Sequence, residues 1–208
     1  MDFRSPITTV VPGARGVVLR ILAATTVPLT GNKIAELSGG AVSQSGVSKA
    51  IAPLVESGLV TCEHTGTANL YLLNRDHVAA AAVLAAAGAR DELLARMAAA
   101  VQSWRVRPVA VWVFGSAARG QATPSSDVDI LVIRADAVPE DDDRWETQTL
   151  ALAESVLLWS GNRCQVLEYS EAEFSELVAA GDRLVRALHD DAVVVAGRSP
   201  RQMAKAPA

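Results

Sequence analysis

The 208-residue chain holds only two cysteines and three histidines. Cys62 and Cys164 fall in different expected strands of different halves, and neither has a metal-ligand partner at suitable spacing. Both are therefore expected to be buried, reduced thiols. His64, His77 and His189 are scattered, which leaves a zinc site or a serine–histidine triad nothing to build from. Long apolar runs are missing as well. No uninterrupted stretch approaches the roughly 20 residues that span a bilayer, and no positively charged start leads into one. The chain is expected to be cytoplasmic, with no membrane partner. What is present, half apolar residues and a net charge of −4, suits one or two globular domains of ordinary size.

The most informative segment begins with the apolar run Val109-Ala110-Val111-Trp112-Val113-Phe114, which ends at Gly115-Ser116. Further on stands Asp127-Val128-Asp129. The pattern is a buried strand, a small-residue turn opening a helix, and a second strand carrying two carboxylates. Strand side chains alternate faces, so Asp127 and Asp129 point the same way and can share a divalent cation. Val128, Ile130 and Val132 occupy the opposite face, and Leu131 and Ile133 make the strand apolar enough to be central. A carboxylate inside an apolar strand costs several kcal/mol unless it is paired or metal-bound. Magnesium, a hard cation, bridges one or two carboxylates to substrate phosphates. Backbone N–H groups at a helix start can hold phosphate oxygens where a glycine lets the chain approach, and Ser116 adds a hydroxyl donor. This would be a phosphate cradle without a Walker lysine. Arg119 could face the phosphates or pair with a neighbouring carboxylate.

The stretch Val113-Phe114-Gly115-Ser116-Ala117-Ala118-Arg119-Gly120, together with Ser126-Asp127-Val128-Asp129-Ile130-Leu131-Val132, resembles the minimal nucleotidyltransferases of the polymerase-β superfamily. The resemblance implies a small α/β domain with a mixed sheet over residues 105–197. It implies Asp127 and Asp129 as catalytic metal ligands for Mg2+ (or Mn2+), and Gly115, Ser116, Arg119 and Ser126 as contacts to a nucleoside triphosphate such as ATP. Members of that family usually carry a third carboxylate on a later strand, which completes the metal site and can act as base toward the acceptor hydroxyl. The candidate strand here is Arg163-Cys164-Gln165-Val166-Leu167-Glu168-Tyr169. Gln165 stands at the expected acidic position; it can coordinate through its carbonyl but cannot be a base. Glu168 follows three residues on, facing the other way in a regular strand. A bulge or register shift would bring Glu168 inward as the third catalytic carboxylate.

Residues 1–75 show a different pattern. Val17, Val18, Ile21 and Leu22 recur at helical spacing, Thr30 caps a short helix over Asn32–Leu37, and a third helix begins near Ser43 and runs toward Gly58. Leu59–Cys62 and Asn69–Leu73 read as strands around the turn His64-Thr65-Gly66-Thr67. The outline is that of a winged helix-turn-helix domain, giving an α+β fold class overall. In such a domain Ser43, Gln44, Ser45, Ser48 and Lys49 would enter the DNA major groove, with the His64–Thr67 wing near the backbone. Six basic residues against four acidic ones make a thin electrostatic footprint for DNA, and dimerisation or protein contact is the competing use. Pro53 is expected to bend or shorten the third helix.

Residues 76–104 read as a helical linker whose alanine-rich faces could support a homodimer. Glu140-Asp141-Asp142-Asp143 reads as a solvated cap for the helix that follows, and 198–208 as a disordered tail. Two functions fit this layout. One is a metal-dependent nucleotidyltransferase moving a nucleoside monophosphate to an acceptor hydroxyl. The other is a DNA-binding transcriptional regulator, or an antitoxin with a toxin partner, whose nucleotidyltransferase-like domain binds nucleotide without turnover.

Overall fold

The computed structural model describes residues 1–66 and 68–204. The chain divides into two compact units. The first comprises Arg4–Arg90 with Asp2, and the second runs from Asp91 onward with Met1 and Phe3. The helical segment expected as a linker is therefore divided between the units, with the boundary at Arg90/Asp91.

In the first unit, a 3-10 turn (Pro6–Thr9) precedes α1 (Ala14–Ala23), β1 (Leu29–Thr30), α2 (Gly31–Leu37), α3 (Gln44–Glu56), β2 (Val60–Thr65), β3 (Ala68–Leu73) and α4 (Ala80–Ala87). The three strands form an antiparallel sheet in the order β1-β3-β2. Thr30 and Ser43 start their helices by accepting from the backbone N–H groups of Lys33 and Gly46, which satisfies donors that helix ends otherwise leave open. Ile7, Val18, Leu22, Ile34, Val47, Ile51 and Leu73 fill the core, and Val83 of α4 joins them. Pro53 neither ends α3 nor shortens it; the helix continues to Glu56. Ile51 and Leu54, on either side of it, are buried, and burying two such side chains offsets the roughly 3 kcal/mol that an interior proline costs. Cys62, expected inside, is exposed, because every residue of β2 after Val60 faces solvent. Thr67, at the tip of the expected wing, lies outside the described residues.

The second unit contains α5 (Ala89–Gln102), β4 (Ala110–Phe114), α6 (Gly115–Ala118), β5 (Val128–Arg134), α7 (Asp143–Ser160), β6 (Cys164–Ser170), α8 (Glu171–Ala179), α9 (Arg183–Asp191), β7 (Val193–Gly197) and α10 (Pro200–Met203). Its sheet is mixed, in the order β6-β5-β4-β7, with β5 and β6 parallel and β4 antiparallel to both β5 and β7. On one face Val111, Val113, Ile130 and Val132 pack with Leu93, Met97 and Val101 of α5 and with Trp145, Leu152 and Val156 of α7. On the other, Ala110, Trp112, Leu131 and Ile133 pack with Phe174 of α8, Val185 and Leu188 of α9 and Met203 of α10. A sheet covered on both faces explains why β4 and β5 read as continuous apolar runs. Asp142 caps α7 by accepting from Arg144 and Trp145 N–H, so the acidic run ends in a helix cap. The segment expected as a disordered tail instead includes α10, which carries a capping box on Ser199 and buries Met203; residues 205–208 lie outside the described residues. No helix among the described residues is long and apolar enough to cross a membrane.

Candidate functional site

β4 delivers the chain to Gly115, whose φ is +67°, a left-handed conformation that glycine adopts without the Cβ penalty. Phe114 lies opposite Asp129 in the β4–β5 ladder. The bend that follows Phe114 is therefore carried directly onto the Asp129 carboxylate. A Cβ placed on Gly115 would meet Asp129 Oδ2 at 2.8 Å. The missing side chain is what leaves room for the acid. Ser116, half-buried, begins the single turn of α6, and its carbonyl accepts from Gln121 N–H at 2.8 Å and Ala122 N–H at 3.1 Å. Those bonds close the loop beneath the bend.

Asp127 directly precedes β5. Asp129 shares its face with Leu131 and Ile133, toward α8 and α9. Burial, and then the neighbouring Asp127 charge, push the Asp129 carboxyl above the ordinary aspartate range. A bound cation would relieve the repulsion that makes Asp129 costly to ionise beside Asp127. The approach to Asp127 is held by Asn162, which is fully buried and donates its amide N–H groups to the carbonyls of Thr123 and Ser126, both at 2.9 Å. Ser126, expected to contact nucleotide, uses its hydroxyl to accept from Thr123 N–H at 3.0 Å. In this structure it closes the turn before Asp127.

The third strand decides the rest of the site. In the parallel β5–β6 ladder Asp129 lies opposite Gln165, and Val132 lies opposite Glu168. Gln165 therefore leaves the sheet on the side of Asp129, and its Nε2 donates to Asp127 Oδ2 at 2.8 Å. Glu168 leaves on the α7 side, where its carboxylate accepts from Arg134 Nε at 3.1 Å. The bulge or slip needed to turn Glu168 inward is absent from this ladder, which is regular from Val128 to Arg134. Glu168 as third catalytic carboxylate is thus corrected by the register. Among the described residues no group of three or more histidine, cysteine or acidic side chains is arranged to hold a metal. Burial, and then the charges of Asp129 and Asp127, push the nearby Cys164 thiol up to about 12.

Arg119 is engaged with a residue far along the chain. Its Nη1 donates to Asp191 of α9 at 2.6 Å, and its Nε to Gln121 at 3.3 Å. Sequence reasoning foresaw a carboxylate partner as one option but missed Asp191, and it missed Asn162 as the support of the acidic loop. Neither carries a local signal, because both act across dozens of residues. A groove of about 590 Å3, lined in part by Trp104, Arg144 and Gln148, lies between α5 and α7 and contains neither aspartate.

In the first unit, Ser43, Gln44, Ser45, Ser48 and Lys49 are all exposed on the early turns of α3. The Ser43 hydroxyl is occupied in capping that helix. The thin excess of basic residues remains a feature of this unit.

The arrangement of Asp127, Asp129 and the Gln165 amide beside Gly115-Ser116 fits a hard divalent cation. It offers two carboxylates, both partly open to solvent, next to a helix start, with the Gln165 amide hydrogen-bonded to one of them. Bound there, such a cation would tie phosphate oxygens to the two aspartates.

Residues 95–195 match the sequence model of the nucleotidyltransferase domain family. Among solved structures, the chain is similar to a toxin–antitoxin crystal structure with AMP-PNP, at 17% identity over 53% of this chain and 80% of the other, with a TM-score of 0.35. It is also similar to a putative nucleotidyltransferase from Sulfolobus solfataricus, at 20% identity over 51% and 85%, with a TM-score of 0.27. No curated protein matches it.

Proposed function

Starting from a nucleotidyltransferase-family domain over residues 95–195, we propose that the second unit binds a nucleoside triphosphate as its magnesium (or manganese) complex. Asp127 and Asp129 hold the cation, while Gly115 and Ser116 face the phosphates. The observation that carries this reading is the contact between the bend and the acid, in which Asp129 Oδ2 fills the space beside Gly115. A metal–triphosphate held at that point is set up for in-line transfer of a nucleoside monophosphate to an acceptor hydroxyl, with release of pyrophosphate. The test is magnesium-dependent binding of a non-hydrolysable ATP analogue, followed by pyrophosphate release from ATP, in the wild type and in Asp127→Ala and Asp129→Ala. Loss of binding in both variants is expected. A wild type that binds no triphosphate in the presence of magnesium removes the reading.

The ion pair of Glu168 with Arg134 favours a second reading, in which the nucleotide is bound without turnover. With Glu168 so engaged, β6 brings no carboxylate to receive the acceptor proton. The first unit fits this reading as a winged helix-turn-helix: α2 and α3 form the helical pair, the β2–β3 hairpin is the wing, and Ser43, Gln44, Ser45, Ser48 and Lys49 lie on the exposed side of α3. A transcriptional regulator, or an antitoxin acting on a protein partner, would use it so, in the cytoplasm and as a homodimer if the alanine-rich α4 supports one. Salt-sensitive, sequence-specific DNA binding that survives the aspartate substitutions supports this second reading; no DNA binding at low salt removes its DNA arm.

A further inference from the structure

Gln165 is the one uncharged member of the cluster, and its amide is turned with the N–H, not the carbonyl, toward Asp127. That orientation follows from chemistry, because a carboxylate accepts and cannot donate. We infer that Gln165, a neutral amide at the β6 position facing the two aspartates, leaves this site with a single divalent cation, the one that arrives with the triphosphate, because a second would need a carboxylate there. The inference rests on the metal–triphosphate reading above and says which form of it this chain adopts.

Two arguments support it. The first is charge. Asp127 and Asp129 supply the two carboxylates of this cluster, enough to hold the one cation that a triphosphate brings with it. Glu168, the one acid of β6, is directed to the other face of the sheet and held by Arg134, so this strand brings no carboxylate for a second cation. The second is geometry. A carboxylate that bridges two cations needs both oxygens, and Asp127 Oδ2 already accepts the Gln165 N–H at 2.8 Å. A cation approaching that oxygen meets the positive end of the amide dipole. Turning the amide over would offer its carbonyl but would break the hydrogen bond and supply only a neutral ligand. The register sets the side chain's place, because Gln165 lies opposite Asp129 and leaves the sheet on the side of the two acids. An acceptor hydroxyl at this site therefore meets no second cation, and no carboxylate from β6, to take its proton.

The test is the number of Mn2+ ions bound per chain, measured by equilibrium dialysis in the presence of a saturating non-hydrolysable ATP analogue. The wild type is expected to retain one, Gln165→Ala one, and Gln165→Glu two, with the second ion appearing only in the variant that supplies a new carboxylate. Gln165→Asp serves if Gln165→Glu fails to fold, as judged by its thermal melt. Two ions in the wild type, or one in both folded acidic variants, overturns the inference while leaving metal–triphosphate binding intact. No ion in the wild type overturns that reading itself, and the inference with it.

Discussion

Replacing Gly115 with alanine probes the contact on which the candidate site depends. Two costs separate cleanly. The residue holds φ at +67°, and an L-residue in that conformation costs about 1–2 kcal/mol. The added methyl would also stand 2.8 Å from Asp129 Oδ2, and pushing that partly open carboxylate off its rotamer costs roughly another 0.5–1.5 kcal/mol. Gly181 provides the control, since it has φ of +64° and nothing within 4 Å of a built Cβ. Gly181→Ala should therefore report the backbone cost alone. For a domain of this size a kcal/mol shifts the melting temperature by about 4 °C. Gly181→Ala should then melt about 4–8 °C below the wild type, and Gly115→Ala about 6–14 °C below. Because the methyl displaces the acid, metal-dependent binding of an ATP analogue should weaken roughly tenfold to hundredfold in Gly115→Ala only. Differential scanning fluorimetry and calorimetric titration read the two effects. If both variants melt together and bind the analogue like the wild type, the bend does not press on Asp129 and the reasoning fails.

Asp129→Asn should raise the melting temperature of the metal-free protein at neutral pH. A carboxyl held above its unfolded value costs stability wherever it is charged, and that cost disappears as pH falls through its raised range to the ordinary aspartate value. The advantage of the variant should accordingly shrink on acidification; a constant advantage from neutral to acid pH would contradict the assignment. Glu168→Gln should destabilise the fold by about 1–3 kcal/mol in urea unfolding, because Arg134 is 7% exposed and loses its charged partner while Glu168 itself is partly open to solvent. The same variant should bind metal and nucleotide as the wild type does, and loss of that binding in a folded protein would place Glu168 at the site after all.

Much of this protein follows from local rules that sequence expresses directly. The alternation of Asp127, Val128 and Asp129 along one strand assigns both acids to one face before any partner strand is known. The caps at Thr30 and Ser43 depend on a hydroxyl and a backbone N–H three residues away. The apolar runs of β4 and β5 announce a central place in a sheet covered on both sides. Other features depend on contacts between distant segments. Whether Gln165 or Glu168 joins the acids is set by the register of β6 against β5, two strands separated by the whole of α7, and a one-residue slip would exchange their faces. Arg119 meets Asp191 only because α9 returns beside the bend. Pro53 stays inside a helix because the core on either side of it is worth more than the bond it removes. Sequence thus supplied the chemistry available at the bend, while the pairing of distant strands determined how many carboxylates reach it.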